Sequence, residues 1–263
     1  MEKISKAQVK MVRSLQQKKF RDELGLFVAE GEKCVEELRR GFEVELIIKN
    51  EQLISREADV RTVYATQTEI EQMSGLRTPQ GVIAVFHKPK TQQNAELKIK
   101  NEQLILALDG IQDPGNLGTI IRTCDWFGVH DIVCSLDTAD CYNPKVVQAT
   151  MGALARVRVH YVELPTMLEE FKMHNTQFKI YGTLLEGEDM YEVLESRVES
   201  QESREIIIMG NEGNGISPEV RKLITHPIRI PSYPANKKAS DVVESLNVSI
   251  ATAIVLAEFR RVR

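Results

Sequence analysis

Residues 104–128 read LILALDGIQDPGNLGTIIRTCDWFG, and the fold class can be inferred from this pattern. It joins an apolar run, Leu104–Leu108, to a predicted helix, Leu117–Phe127, that Gly128 ends. A continuous apolar run of this length is typical of a strand that is buried on both faces of a parallel sheet. Because strand and helix keep alternating toward the C-terminus, the sequence predicts an α/β fold with a mainly parallel sheet.

The remaining predicted elements of this part of the chain follow the same alternation. The further strands are predicted at Asp131–Cys134, Val157–Val162, Phe178–Leu184, Ile206–Met209 and Pro227–Ile230. One helix is expected to open at Asn143-Pro144, where proline suits the first turn, and another at Ser217-Pro218-Glu219, with Ser217 as its cap. The last helix is predicted from Ser245 to Arg260.

The first 86 residues have the pattern of a separate, smaller α/β unit. Helices are predicted over residues 5–19 and over Glu32–Arg40, and the short β-rich runs are Leu26–Ala29, Val44–Ile48, Thr62–Ala65 and Val82–Phe86. Residues 87–103 are polar and are expected to form a linker. The predicted domains are therefore 1–86 and 104–263.

Composition favours a cytoplasmic protein. The N-terminus has no signal-peptide core, and no apolar stretch is long enough to span a membrane. Four cysteines without paired spacing indicate reduced, buried thiols rather than disulfides or a metal site. The five histidines have no ligand spacing, so neither a metal centre nor a hydrolase triad is expected.

Positive charge concentrates at the two ends of a chain whose net charge is −4. Residues 1–21 contain one acid, Glu2, and seven bases: Lys3, Lys6, Lys10, Arg13, Lys18, Lys19 and Arg21. The C-terminus adds Arg260, Arg261 and Arg263. Such clusters indicate either a local contact for phosphates or a solvated helix face.

Three polar segments, marked by glycine or asparagine, interrupt the C-terminal part. They are Asn116-Leu117-Gly118-Thr119-Ile120-Ile121-Arg122, Gly210-Asn211-Glu212-Gly213-Asn214-Gly215 and Ser245-Leu246-Asn247-Val248. The first two follow predicted strands, and ligands of open α/β sheets bind at such strand ends. The three segments are therefore expected to form one composite site.

The residues of these segments limit what the site can bind. The glycine spacing is not G-x-G-x-x-G, and the Glu212 carboxylate would repel a pyrophosphate, so an uncharged or cationic ligand is favoured. Arg122 lies one helical turn beyond Gly118, and its side chain either extends into solvent or reaches into the site. Ser245 is explained as a helix cap, whereas Asn247 falls inside the first predicted turn and is not.

Together the three segments resemble the SpoU (TrmH-like) class of SPOUT RNA 2'-O-ribose methyltransferases. Their motifs N-x-G-x-x-x-R, G-x-E-x-x-G and S-L-N-V are matched in order and spacing. Lys18-Lys19-Phe20-Arg21 and Phe27-Val28-Ala29-Glu30-Gly31 are similar to the L30-like substrate-binding domain of the rRNA-modifying branch. The longer stretch Ser232–Glu244, with Lys237, Lys238 and Asp241, departs from the family's short I-P-M-x-G loop.

The resemblance implies a trefoil-knotted SPOUT domain, S-adenosyl-L-methionine as cofactor and a homodimer that completes the site. It implies a catalytic cluster of Asn116, Arg122, Glu212, Ser245 and Asn247, and cofactor contacts from Gly210, Gly215, Ile230 and Leu246. Glu212 then suits a sulfonium cation. The family sometimes assigns the arginine the role of general base, whereas a guanidinium pKa above about 12 favours binding of phosphate and alkoxide.

The resemblance favours rRNA, of the 23S type, as substrate, with tRNA as the alternative. A catalytically silent RNA-binding factor of ribosome assembly is a rival from another class, although all polar motif positions are present. A small-molecule methyltransferase is a third possibility, which the basic N-terminal helix disfavours. No membrane or metal partner is expected.

Overall fold

The structure is a computed structural model, and it describes residues 2–53, 61–89, 104–174, 178–196, 204–233 and 245–261. Backbone contacts divide the chain into two compact units. The first comprises Met1–Leu97 and Asp140–Arg156, and the second comprises Lys98–Ala139 and Val157–Arg263. The first unit is thus assembled from two separate stretches of sequence.

The described residues form ten α-helices and ten strands. The helices are α1 (Lys6–Ser14), α2 (Lys18–Leu24), α3 (Glu32–Leu38), α4 (Gln67–Met73), α5 (Pro114–Trp126), α6 (Pro144–Thr150), α7 (Leu164–His174), α8 (Met190–Glu195), α9 (Pro218–Arg221) and α10 (Val248–Arg261). The strands are β1 (Leu26–Glu30), β2 (Val44–Asn50), β3 (Thr62–Ala65), β4 (Val82–His87), β5 (Leu104–Asp109), β6 (Asp131–Ser135), β7 (Arg158–Val162), β8 (Phe178–Asp189), β9 (Arg204–Gly210) and β10 (His226–Arg229).

The first unit is built on a four-stranded sheet of order β1-β4-β2-β3. Strand β4 is antiparallel to both of its neighbours, and β3 is parallel to β2. One face of this sheet packs with α1 and α4 around a core that includes Val12, Leu15, Ile48 and Val85. All four strands predicted for this unit are present, with ends that differ by no more than two residues.

The helix predicted over residues 5–19 is divided into α1 and α2. At the break, the buried guanidinium of Arg21 donates to the carbonyl oxygens of Leu15 and Gln16 at 2.9 and 3.0 Å. Gln17, the residue before α2, is extended. Arg21 therefore does not belong to the exposed basic cluster that the sequence indicates.

The segment Asp140–Arg156 contributes to the first unit through both charge and packing. Arg21 forms a salt bridge of 2.7 Å with Asp140, and both side chains are largely buried. Tyr142 lies against Phe27 with ring centroids 4.9 Å apart. Asn143 caps α6 by accepting from the Lys145 N–H, which confirms the helix start predicted at Asn143-Pro144.

The second unit contains a six-stranded sheet of order β10-β8-β9-β5-β6-β7. Every pairing in it is parallel, as the sequence predicts. The central strands β5, β6 and β9 are buried almost along their whole length. Because parallel strands share a direction, the segments that follow β5, β9 and β10 emerge at the same edge of the sheet.

Four helix predictions are wrong in detail. Helix α10 begins at Val248 rather than Ser245, and α5 begins at Pro114, with Asp113 as its cap, rather than at Leu117. Ser217 makes no capping hydrogen bond to the four-residue α9. Helix α3 ends at Leu38, two residues before the predicted end, and α4, α7 and α8 were not predicted.

The cysteines agree with the sequence prediction, because all four are buried and none forms a disulfide. Burial raises the pKa of the Cys34 thiol to about 11, which keeps it protonated at neutral pH. Among the described residues there is no group of three His, Cys, Asp or Glu side chains placed to hold a metal ion. No helix in the described ranges is long and apolar enough to cross a membrane.

Candidate active site

Three predicted site residues from three distant parts of the sequence meet at the strand-end edge of the second unit. The Glu212 Oε1 accepts a hydrogen bond of 2.5 Å from the Asn116 Nδ2 and one of 3.1 Å from the Asn247 Nδ2. The Asn247 Nδ2 also donates to the Asn116 Oδ1 at 2.9 Å. These three side chains, here called the polar triad, therefore form a closed ring of hydrogen bonds.

Asn116 and Asn247 are held in place by the starts of their helices. Asn116 lies in the first turn of α5, and its backbone N–H donates to the capping Asp113 at 2.8 Å. Asn247 is the cap of α10: its Oδ1 accepts from the Ser249 N–H at 3.0 Å and from the Ser249 hydroxyl at 2.6 Å. The prediction that Asn247 lies inside the helix is wrong, because α10 begins one residue later.

The loop Gly210–Gly215 is a tight backbone reversal. Asn211 and Gly215 exchange two backbone hydrogen bonds of 2.9 and 2.8 Å. A Cβ atom placed on Gly210 would lie 2.4 Å from the carbonyl carbon of Gly215, and Gly215 has a φ of +67°. Both positions therefore favour glycine, and the reversal presents the Glu212 side chain to the two asparagines.

Asn211 ties this loop to the neighbouring strand. Its Nδ2 donates to the Gly110 carbonyl at 2.7 Å, and its Oδ1 accepts from the N–H groups of Gly213 and Asn214 at 2.8 and 3.0 Å. The half-buried Asn211 thus uses its whole side-chain amide to fix the loop. The three motifs do not single out Asn211, although asparagine in a glycine-rich turn is a known signal for side chain–backbone hydrogen bonding.

Two further residues that the motifs do not contain lie in β5 and β6; one holds the far end of the loop, and the other holds Gly110, to which Asn211 is bonded. The buried Asp109 accepts a hydrogen bond of 2.7 Å from the Ser217 N–H at the far end of the loop. The Ser135 hydroxyl accepts one of 2.8 Å from the Gly110 N–H. Both lie at strand ends, where a polar side chain next to an apolar run is the signal that could have identified them.

Arg122 and Ser245 lie outside the polar triad. Both are exposed, and neither hydrogen-bonds to the triad within the described residues. Arg122 shares its face of α5 with Trp126, four residues later, and Trp126 is 85% exposed. In this chain Arg122 therefore lies on an exposed surface beside a large aromatic side chain.

The four residues predicted to contact the cofactor lie at or next to the segments that emerge at this edge of the sheet. Gly210 ends β9 and Gly215 closes its loop, while Ile230 directly follows β10. Leu246 precedes Asn247 and is 48% exposed. The stretch predicted to form a longer loop, Ser232–Glu244, lies outside the described residues from position 234 onward, including Lys237, Lys238 and Asp241.

A cavity of about 220 Å³ adjoins the loop Gly210–Gly215, and the residues that line it indicate which ligands could bind there. The described residues that line it are Ile111, Gln112, Asp113, Asn211, Glu212, Gly213 and Val248. Two of them are carboxylates, and none is Lys or Arg, so this lining does not suit a phosphate. It is compatible with a cationic group such as the sulfonium of S-adenosylmethionine.

Two family models match the chain. The SpoU rRNA Methylase family matches residues 103–257. The MRM3-like substrate binding domain matches residues 6–84. The first match contains all three motifs and therefore the whole polar triad, and the second covers the helices and strands of the N-terminal stretch.

Several known proteins are similar over nearly the whole length. The 23S rRNA (guanosine(2553)-2'-O)-methyltransferase RlmP of Bacillus subtilis is 31% identical, with 96% of this chain and 95% of that protein covered. A TrmH-family structure from Porphyromonas gingivalis is 37% identical, with a TM-score of 0.81 and 98% of each chain covered.

An AdoMet-bound rRNA methyltransferase from Sinorhizobium meliloti is 28% identical, with a TM-score of 0.77 and coverage of 99% of this chain and 97% of that one. The two family matches, the near-complete relatives and the meeting of the three motifs at one sheet edge agree with one another. This chain belongs to the SpoU rRNA methylase family.

Proposed function

We propose that this protein transfers a methyl group from S-adenosyl-L-methionine to a ribose 2'-hydroxyl of RNA, with 23S-type rRNA as its substrate. The observation that carries the proposal is the polar triad, which joins the three motifs of a methyltransferase family in one hydrogen-bonded ring. Relatives that match almost the full chain are named as 23S rRNA 2'-O-methyltransferases.

The cofactor is assigned to the strand-end edge. When bound, S-adenosylmethionine supplies a methyl carbon made electrophilic by its sulfonium. Backbone groups of Gly210, Gly215, Ile230 and Leu246 would hold it there. The rigid reversal of the loop and the absence of Lys and Arg from the described cavity lining both support a cationic ligand.

The triad and Arg122 divide the work on the RNA side. The two asparagine amides fix the Glu212 carboxylate, and this preorganised group orients the reacting hydroxyl together with Ser245. A guanidinium remains charged at any physiological pH, so Arg122 is a poor base. It binds the phosphate next to the reactive ribose and stabilises the alkoxide as it forms.

A second copy of the chain completes this site. Within one protomer, Arg122 makes no hydrogen bond to the triad among the described residues and is exposed on a face of α5 that also exposes Trp126. Helix α10, which packs on α5, exposes Ile250 to 54%. A tryptophan this exposed is typical of an interface rather than a free surface, so a homodimer would cover it.

We also propose the knotted architecture, the cellular location and the domain division on the basis of family membership. The C-terminal part of the second unit forms a trefoil knot, and the protein acts in the cytoplasm. Along the sequence we assign an L30-like RNA-binding domain (1–86), a linker (87–103) and the methyltransferase domain (104–263), from which the segment Asp140–Arg156 is contributed to the first compact unit. Residues 90–103 lie outside the described residues, while the match of residues 6–84 to a substrate-binding domain supports this division.

Substitution of Arg122 by alanine tests the mechanism. Methyl transfer from labelled cofactor to 23S rRNA should fall by roughly 100-fold or more, as for loss of one oxyanion-stabilising donor, while cofactor affinity stays within twofold. Lys172→Ala, a change to an exposed cation on α7, is the control and should keep full activity. Full activity of the Arg122 variant would remove this residue from the mechanism.

A map of 2'-O-methylation across total RNA, with and without the protein, tests the substrate. We expect one rRNA site to lose its methyl group. Loss at a tRNA site would establish the alternative substrate. RNA binding by the wild-type protein without any loss of methylation would favour a silent assembly factor.

A further inference from the structure

Helix α1 has one apolar and one cationic face. Val12 on the helix and Leu15 just after it are fully buried in the core of the first unit, and Val9 packs against that core. The opposite face carries Lys6, Lys10 and Arg13, all exposed. Spacings of four and three residues place these three cations in one row.

The row is not compensated by acidic side chains. Helix α1 contains no Asp or Glu, and within the described residues none of the three cations lies within 4.0 Å of a carboxylate oxygen. Helix α3 is different, because its acids neutralise the neighbouring bases: Arg39 pairs with Glu36 and Arg40 with Glu37.

Two of the other four bases of the N-terminal cluster, Lys18 and Arg21, are already paired with acids. Lys18 and Lys88 both bond to Asp22, at 2.6 Å each, and Arg21 is buried against Asp140. Five bases of the cluster form no ion pair within the described residues: three of them lie on α1, and the other two are the exposed Lys3 and Lys19. On a chain with a net charge of −4, the cationic face of α1 is a local exception.

The burial of the apolar face decides between two polyanionic partners. A helix that binds a lipid surface needs a free apolar face to enter the headgroup region. That face of α1 is covered by the unit's own core and by α4. An exposed row of cations without accessible apolar surface suits a nucleic-acid backbone instead.

We propose that the row of Lys6, Lys10 and Arg13 on α1 binds the phosphate backbone of the RNA substrate. The row spans about 10 Å at 1.5 Å per residue, which is enough to contact more than one phosphate. Such contacts hold the RNA without reading its sequence. The inference rests on the proposed function, because the RNA it concerns is the substrate of the methyl transfer.

A charge-removing variant tests the row. In Lys6→Gln/Lys10→Gln/Arg13→Gln, binding of unmodified 23S rRNA transcript should weaken about tenfold, and the slope of log K against log salt should decrease by roughly 2. The KM for RNA should rise, while kcat at saturating RNA and the Kd for the cofactor stay unchanged. The control Lys33→Gln/Arg39→Gln/Arg40→Gln removes the same charge from α3 and its following turn, and should bind as the wild type does.

Each other outcome has a defined meaning. If RNA binding weakened equally in both variants, the effect would be one of net charge, and the assignment to α1 would be wrong. The assignment would also be wrong if an active, folded α1 variant bound RNA as tightly as the wild type. Lost binding to phosphatidylserine vesicles with RNA binding intact would assign the row to membranes. If the wild type neither binds nor methylates the transcript, the proposed function itself fails. Circular dichroism establishes that both variants are folded.

Discussion

Asn211 shows how a single side chain can fix a loop of the candidate site without belonging to the polar triad. Its amide joins the end of β5, through the Gly110 carbonyl, to two N–H groups inside the loop Gly210–Gly215. Glu212 is the next residue, so the direction in which its carboxylate points depends on this anchoring. Asn211 is therefore a positioning residue for the polar triad.

Asn211→Ala should weaken both the loop and the binding of the cofactor. The substitution leaves one carbonyl and two N–H groups without their partner, at a cost of about 1–3 kcal/mol. We expect the Kd of S-adenosylmethionine to rise about tenfold and the Tm to fall by a few degrees. Calorimetric titration and thermal unfolding measure the two effects.

Asn214→Ala, in the same loop, is the matched control, because its exposed side chain makes no hydrogen bond within the described residues. Equal effects of the two substitutions would show that the loop, rather than the Asn211 amide, is sensitive.

Individual site residues can be predicted from the sequence when they belong to a motif. Residues whose role depends on a contact with a distant part of the chain cannot be predicted in this way. Asn116, Glu212 and Asn247 could be selected because their spacing follows a family pattern. The roles of Asn211 and Asp109 depend on bonds to other strands, which no local spacing reveals. Arg21 was placed in an exposed cluster for the same reason, since its partner Asp140 is 119 residues away.

Among the secondary-structure elements, the start of α10 is notable because one side chain both caps the helix and bonds to the rest of the polar triad. The Asn247 Oδ1 caps the helix, while its Nδ2 bonds to Asn116 and Glu212. Asn247→Ser should keep the cap and lose the bridge to the triad, so methyl transfer should fall at least tenfold with the Tm nearly unchanged.

Asn247→Ala should lose the cap as well, at about 1 kcal/mol. Thermal unfolding and methyl-transfer rates of the two variants separate the tasks. If the serine variant were as unstable as the alanine variant, the side chain would not act as a cap.

Asp131, the first residue of β6, is expected to make the folding stability of the protein depend on pH. Burial of Asp131 raises the pKa of its carboxyl, but hydrogen bonds and charges from His160 and Arg158 outweigh burial and lower the pKa below its usual range. The bonds to the Arg158 Nε and the His160 Nε2 measure 2.8 and 2.7 Å.

The pH dependence follows from this lowered pKa. In the unfolded chain an aspartate titrates near 3.9, so the contribution of Asp131 is complete above that pH and is lost as the pH falls through the lower folded value. Asp131→Asn should reduce the Tm at pH 7 and make its decrease between pH 5 and 3 shallower than in the wild type. Glu169→Gln, at an exposed position on α7, should leave the profile unchanged.

The elements themselves were largely predictable, since apolar runs identify strands that are buried on both faces. The boundaries were less so. Helix α10 is predicted to start at Ser245 because serine is a good capping residue, but the helix starts at Val248 and Asn247 is its cap. Helix α4 was missed although Thr66 and Glu69 form a complete capping box, a local signal that the sequence contains.

For the whole molecule, the important feature is that the first unit includes Asp140–Arg156. Arg21 donates to Asp140 from two nitrogens, at 3.1 and 2.7 Å, inside that unit. Arg21→Met should destabilise it by about 3–5 kcal/mol, because a buried carboxylate loses its partner.

Differential scanning calorimetry should show the loss for Arg21→Met, and limited proteolysis should show faster cleavage within 140–156. Lys19→Met, an exposed neighbour on α2, is expected to change neither. Unchanged cleavage of the Arg21 variant would mean that packing alone retains the segment.

The same feature changes how a deletion of residues 1–86 is interpreted. Taken by itself, loss of turnover in such a deletion would favour an RNA enzyme over a small-molecule methyltransferase. However, the deletion also removes Phe27 and Arg21, on which Tyr142 and Asp140 pack. Loss of activity would then follow for either substrate, so the point substitutions on α1 are the more discriminating experiment.

A unit made of two stretches of one gene cannot be exchanged by a single recombination event. A crossover in the stretch between residues 87 and 103 would bring a foreign N-terminal half together with a native Asp140–Arg156, and the paired surfaces would no longer match. A viable chimaera needs three junctions, near residues 97, 139 and 156. We therefore expect the two parts of this protein to have been inherited together, and the specificity of relatives to diverge by coordinated substitution in both stretches rather than by domain shuffling.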